Sequence, residues 1–326
     1  MSFIKRYGIY IFSIILAVVL AVIFIPNETG TYTSSQLYQT NGYDWTPPDL
    51  LKLPDSPGAD LVQYGRNLII HTSFYLGPKG SVARLTNGMN CQNCHLTAGT
   101  EFLGNNFSAV YSTYPKYRER SGGMETIYKR IADCIQRSLN GTAPDSNSKE
   151  MRAINAYIQW LGMKVPKGVK PKGAGLPDIP FLQRAANAAT GKMIYIQKCV
   201  RCHSLNGEGL LNADSTEYLY PPLWGRKSFN TGAGLFRISR FAAYILKNMP
   251  FDIKTNKEIA RLSEEEAWDV AGYILSQPRP QKKFANDWPD ISKKPYDHPF
   301  APYADTFPEI QHKFGPFEPI LKTKKK

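Results

Sequence analysis

The sequence predicts a mainly α-helical chain of two similar domains in tandem, with an N-terminal apolar helix and an extended, proline-rich C-terminal tail. Three observations predict it. A Cys-x-x-Cys-His motif occurs twice, as Cys91-Gln92-Asn93-Cys94-His95 and Cys199-Val200-Arg201-Cys202-His203. Each copy follows an apolar helical pattern containing a glycine and precedes a second helical pattern carrying a tryptophan. The length, 326 residues, suits about two domains better than one.

Composition narrows the class. At 42% hydrophobic residues the chain is not disordered, and five cysteines are too few for a disulfide scaffold. The net charge of +13 allows nucleic acid, an anionic surface or an anionic substrate as partner.

The elements follow in chain order. Lys5 and Arg6 precede an uncharged apolar run of nineteen residues, 7–25, ended by Pro26. That length nearly spans a bilayer core, and the positive flank predicts a cytoplasmic N-terminus with the rest exported. Residues 1–26 therefore read as a signal sequence or a membrane anchor. Val19-Leu20-Ala21 is a poor cleavage site because more apolar chain follows it. Residues 27–55 form a polar spacer. The first domain, 56–163, opens on a helix around Gly65 and closes on Met151, Ile154, Tyr157, Ile158 and Leu161 at helical spacing. Proline, glycine and lysine mark 164–180 as an exposed linker. The second domain, 181–280, opens on a helix around Gly191. It closes on a helix that Ser263 and Glu266 start as a capping box and that continues through Trp268 and Val270. Trp160 and Trp268 read as core packing near the cofactor. The tail, 281–326, lacks periodicity and is expected to wrap the surface, with the final lysines solvated.

Cys-x-x-Cys-His is the attachment signature of c-type haem, with two thiols for the vinyl carbons and a histidine for the iron. A zinc site would need four grouped ligands, and these motifs lie 108 residues apart. A thioredoxin-like site expects a βαβ setting that is absent from the pattern. Two covalent haem c groups are thus expected, held by Cys91, Cys94, Cys199 and Cys202, with His95 and His203 as proximal ligands. The arrangement resembles the class I cytochrome c fold, used twice.

A six-coordinate haem needs a second axial ligand, usually methionine or histidine. Beyond His203 the only methionine is Met249, and Pro250 restricts it to extended backbone, as a ligand loop requires. Lys247 is a weaker candidate. In the first half Met124, Met151 and Met163 are available, and His71 precedes the motif. His71 and His312 read as structural. The fifth cysteine, Cys134, lies among Arg118, Arg120, Arg130 and Arg137; positive neighbours favour the thiolate that binds metal.

The chain resembles the dihaem thiosulfate dehydrogenases, bacterial enzymes that interconvert thiosulfate and tetrathionate. The resemblance rests on Tyr114-Pro115-Lys116-Tyr117-Arg118-Glu119-Arg120-Ser121-Gly122 and the segment from Arg130 through Cys134 and Ser138 to Gly141. It also rests on Phe229-Asn230-Thr231-Gly232-Ala233-Gly234, on Asn248-Met249-Pro250 and on the tail motifs around Trp288, His298 and His312. It implies that His95 and Cys134 ligate an active-site haem in the first domain. Arg120, Arg130 and Ser138 then join Cys134 in the pocket, and His203 and Met249 ligate an electron-transfer haem in the second. Arg137 is expected at the pocket or on a haem propionate. The resemblance also implies oxidative coupling of two thiosulfates to tetrathionate, in either direction, with an external acceptor or donor such as another cytochrome c. Members of that family are typically soluble in the periplasm, so the resemblance does not support an anchor; the N-terminal run alone leaves the protein either soluble in the periplasm after signal cleavage or anchored to the inner membrane through residues 7–25. Guanidinium groups suit the chemistry, since they offset repulsion between two sulfur dianions. The alternatives are a non-enzymatic dihaem electron carrier and a haem sensor of small gases. Export and the lack of a recognition motif argue against nucleic-acid binding.

Overall fold

The computed structural model describes residues 42–252, 257–258 and 261–324, which belong to one compact unit. The apolar run over 7–25 lies outside them. Among the described residues no helix is long and apolar enough to cross a membrane.

Six longer helices organise the two halves: α1 (Pro57–Ile70), α2 (Ile127–Arg137), α3 (Lys149–Gly162), α4 (Ala188–Lys198), α5 (Ile238–Asn248) and α6 (Glu264–Ser276). Local chemistry sets where they start. Ser56 accepts from the Ala59 N–H ahead of α1, with Pro57 at the first turn. Ser148 caps α3, Asn187 caps α4, and Ser263 with Glu266 closes the expected capping box on α6.

Each half is built on one crossing of its first and last helices, and a glycine makes each crossing possible. A Cβ on Gly65 would lie 2.0 Å from the Ala153 carbonyl oxygen, and one on Gly191 would lie 1.9 Å from that of Asp269. The glycines in the two helical patterns are therefore contact points between α1 and α3 and between α4 and α6. Both cytochrome-like halves match the expected architecture. Trp268 is buried, but its ring packs on Phe181 and Phe317, and its indole N–H donates to the Pro180 carbonyl at 3.0 Å. It thus fastens the tail to the second domain.

The segment read as an exposed linker is half-buried, with Val165, Ala174 and Leu176 in the core. The loop after the first haem motif needs partners for its backbone polar groups. Leu103 N–H donates to the Gly173 carbonyl at 2.8 Å and Asn105 N–H to that of Gly175 at 3.0 Å. The linker thereby fixes the loop that carries Asn105.

The tail contains two short helices, α7 (Glu309–Phe314) and α8 (Glu318–Lys324), within an otherwise extended path. His312 anchors it, bonding the Tyr296 carbonyl at 2.6 Å and Asp305 at 2.9 Å while stacked on Tyr303. The tail also reaches the first domain, where the Trp288 N–H donates to the Arg120 carbonyl at 2.7 Å.

Candidate active site and haem centres

A cavity of about 500 Å³ lies where the two halves meet, with Met89, Asn93, Cys94 and Leu96 of the first half on one side and the second haem motif on the other. Cys199, Cys202, His203 and Met249 line it together with Phe229, Phe241, Ile245, Val270 and Ile274. His203 is buried, and its Nδ1 lies 2.9 Å from the Pro221 carbonyl, which orients the ring and leaves Nε2 for a metal. Met249 ends α5 in extended conformation, φ −130° and ψ 149°, as its proline predicts. Lys247 is half-buried in the last turn of α5 and is not among the cavity-lining residues. Arg279 supplies a second fit to a haem. It is buried among Phe229, Phe236 and the carbonyls of Leu223 and Ile274. Its Nε has no acceptor, and burial pulls its pKa down to about 9. A buried cation facing apolar rings calls for an anion, and a haem seated in the cavity brings two carboxylates.

In the first domain, Cys91 and Cys94 are half-buried thiols without disulfide partners; desolvation pushes them up to about 11 and about 12. Cys134 acts electrostatically on both, so the fifth thiol sits at the first haem motif although it lies 40 positions beyond Cys94. His95 Nδ1 lies 2.5 Å from the Asn105 carbonyl, and burial lowers its pKa to about 4. Its ring packs on Phe107 at 4.5 Å. A neutral imidazole with Nδ1–H held by a carbonyl is the form that ligates iron through Nε2. Met151 is core, while Met124 and Met163 are exposed. Among the described residues no three His, Cys, Asp or Glu side chains converge as a protein-only metal cage would need.

Helix α2 carries three of the residues expected at the first haem, Arg130, Cys134 and Ser138. Ile127, Ile131 and Ile135 form its buried face. Arg130, Cys134 and Ser138 follow one another at four-residue spacing and so share an adjacent face. Cys134 is the largest influence on Arg130 and holds its guanidinium above the ordinary value. Ser138 caps the helix, its N–H on the Cys134 carbonyl at 2.8 Å. Arg120 comes from the turn of an antiparallel hairpin, β1 (Lys116–Arg118) and β2 (Gly123–Glu125). Burial and the charges of Arg137, Arg130 and Arg118 push Arg120 down to about 10, against Asp287. The nearby carboxylates are taken by other cations. Arg118 pairs with Glu125 at 3.8 Å and Lys129 with Asp133 at 2.5 Å. Arg137, one of the residues expected at a propionate, makes two 2.7 Å bonds to Asp287 and stacks on Phe284. Among the described residues neither Arg120 nor Arg130 is bridged to a carboxylate. The arrangement can bind a small anion beside a thiol.

The remaining histidines have structural partners: His71 meets Glu217 at 2.9 Å and His298 the Phe300 carbonyl at 3.2 Å. Two long-range contacts at the site had no signal in the sequence. Tyr244 is buried in the cavity and donates to the Asn93 carbonyl at 3.3 Å, joining the second domain to the first haem motif. Gly232 offers its carbonyl to both Arg120 and Arg137 at 3.4 Å, and a Cβ there would strike Phe284.

Fold and site define a dihaem c-type cytochrome with two covalent haem c groups. Known proteins agree. Residues 81–166 match the SoxA/TsdA cytochrome c domain, and 186–274 match the family described as cytochrome c oxidase, cbb3-type, subunit III. Thiosulfate dehydrogenase of Stutzerimonas stutzeri is 35% identical over 272 residues, 82% of this chain and 85% of that protein. The Allochromatium vinosum enzyme of the same name is 37% identical over 72% of this chain and 84% of its own length. The solved thiosulfate dehydrogenase (TsdBA) of Marichromatium purpuratum, in its as-isolated form, superposes with a TM-score of 0.67 at 32% identity. That match covers 77% of this chain and 52% of the other, so this chain spans about half of that longer one. The chain belongs to the thiosulfate dehydrogenase family.

Proposed function

We propose that the protein couples two thiosulfate ions oxidatively to tetrathionate and hands two electrons to an external acceptor such as another cytochrome c. The observation that carries this reading is the Arg130, Cys134 and Ser138 face beside the first haem motif, with Arg120 uncompensated nearby. Arg130 and Arg120 neutralise the incoming dianions, and Ser138 donates a hydrogen bond to a sulfonate oxygen. The Cys134 thiolate forms an S–S bond to the outer sulfur of one thiosulfate, and two electrons leave: Cys–S⁻ + S₂O₃²⁻ → Cys–S–S–SO₃⁻ + 2e⁻. The outer sulfur of the second thiosulfate attacks the Cys134-bound S–SO₃⁻ group, breaking the new bond to Cys134. That releases S₄O₆²⁻ and regenerates the thiolate. When bound, the haems supply the one-electron acceptors, the lower potential on the His95/Cys134 side and the higher on the His203/Met249 side.

The same site run backwards reduces tetrathionate. A non-enzymatic carrier is not favoured, because a carrier gains nothing from two half-buried arginines, Arg120 and Arg130, left without a carboxylate bridge around a thiol. In this reading residues 56–163 hold the catalytic centre and 181–280 the electron-transfer centre, joined by 164–180. The tail, 281–326, covers both. The protein works in the periplasm, freed by signal cleavage or held to the inner membrane through residues 7–25. Adding thiosulfate to the oxidised holoprotein tests the reading. Fast reduction with tetrathionate as product is expected, and no reduction without a redox partner would contradict it.

A further inference from the structure

The tail brings one side chain to the basic cluster that the mechanism above does not use. The Trp288 ring lies against the Arg120 guanidinium, 5.6 Å from centroid to Cζ, with the His298 ring at its edge at 5.7 Å. Its backbone is fixed on the hairpin turn through the bond to the Arg120 carbonyl. Pro289 packs beside it over Gly122, where a Cβ would come within 2.5 Å of the proline ring. Trp288 holds a left-handed backbone, φ +61°, an uncommon conformation for a bulky residue that the surrounding contacts must sustain.

Two N–H donors are orphaned there. Trp288 Nε1 and Arg120 Nε are both shut off from solvent and have no acceptor. Other tryptophans of the chain are satisfied: Trp45 donates to the Leu161 carbonyl and Trp268 to that of Pro180, each at 3.0 Å. Buried donors without acceptors are costly. The carboxylate that acts on Arg120, Asp287, has both oxygens committed to Arg137. His298 is held neutral, far below its ordinary range, by burial and by Lys294, Arg120 and Arg237. The surroundings therefore favour an anion and offer none.

We infer that Arg120 and Trp288 form an oxyanion subsite, supplied jointly by the hairpin turn and the C-terminal tail, for the sulfonate end of one thiosulfate. This rests on the thiosulfate reading. Two dianions must be held together, and the α2 face serves one of them. A second set of donors beside Arg130 serves the other, and Arg120 is close enough to feel Arg130. A haem propionate has the same oxyanion chemistry and is the competing occupant.

Calorimetric titration of the fully reduced holoprotein separates the two, since reduced protein cannot turn thiosulfate over. Trp288→Phe keeps the ring and removes the donor. The thiosulfate and sulfite Kd values are expected to rise about tenfold, with both haem potentials unchanged. An unchanged thiosulfate Kd overturns the inference; a shifted haem potential accompanying it assigns the donors to a propionate. Should Trp288→Phe not fold, Arg120→Lys keeps the charge without Nε and is held to the same two outcomes. Wild type that binds sulfite through Trp288 but not thiosulfate keeps the oxyanion site and sinks the thiosulfate reading. Wild type that binds neither sinks the subsite.

Discussion

Arg130 and Cys134 stand one turn apart on one face of α2, and the thiol is a stronger influence on the guanidinium than burial is. That reverses what usually happens to a buried arginine, and Arg120 and Arg279 show the usual case, with burial pulling both down. The pair therefore places a guanidinium one turn from a thiol, beside the first haem motif. Replacing Arg130 with Gln should leave both haems attached and lower kcat/KM for thiosulfate about a hundredfold, the scale of one charge-assisted hydrogen bond. Steady-state kinetics beside haem staining would check it, and an unchanged kcat/KM would remove Arg130 from the pocket.

The two helix crossings make a prediction about stability alone. Gly65→Ala and Gly191→Ala each place a methyl group about 2 Å from a backbone carbonyl oxygen. Each should lose about 1–3 kcal/mol in denaturant unfolding. Gly123→Ala, where a Cβ meets nothing within 4 Å, should stay within about 0.5 kcal/mol of wild type.

Arg279 should set the potential of the second haem. A buried cation beside the cavity favours the reduced, less positive iron. Arg279→Gln should lower the higher of the two midpoint potentials by about 60 mV, a tenfold change for a one-electron couple. A spectroscopic redox titration reads this directly, and the lower potential should not move.

His298 predicts a pH dependence. Its pKa is about 3 in the fold against an ordinary 6.5, lowered by burial first and by Lys294, Arg120 and Arg237 after it. Between those values the unfolded chain binds a proton that the folded chain refuses, so stability is lost as pH falls below about 6.5. Between pH 6.5 and 5 the holoprotein should lose roughly 1–2 kcal/mol more than His298→Gln does. Parallel unfolding curves for the two proteins across that range would contradict the assignment.

Much of this was readable in the chain because the chemistry is local. The haem motifs are five contiguous residues each, and the helix pairs announce themselves by apolar spacing and by one glycine per crossing. Met249 followed from elimination and from the backbone preference imposed by Pro250. Arg130, Cys134 and Ser138 were named by the family resemblance; that they share one face of α2 came with the helix itself, which stacks residues four apart. Contacts made over long sequence separations were not legible. The bond from Tyr244 to Asn93 spans 151 residues, and that from Arg137 to Asp287 spans 150. Trp288 reads as one more tail aromatic until the fold lays it on Arg120. The linker was misjudged as exposed because its composition is that of a loop, whereas its burial comes from a neighbouring loop that needs its carbonyls.

In the proposed function one thiol, Cys134, turns a dihaem cytochrome into an enzyme. Thiosulfate titrated into oxidised holoprotein and followed by haem absorbance, for wild type and Cys134→Gly, tests it most directly. Wild type should be reduced promptly and yield tetrathionate. The variant should keep two attached haems and show no reduction by thiosulfate. Full reduction of the variant at the wild-type rate would contradict that role of Cys134.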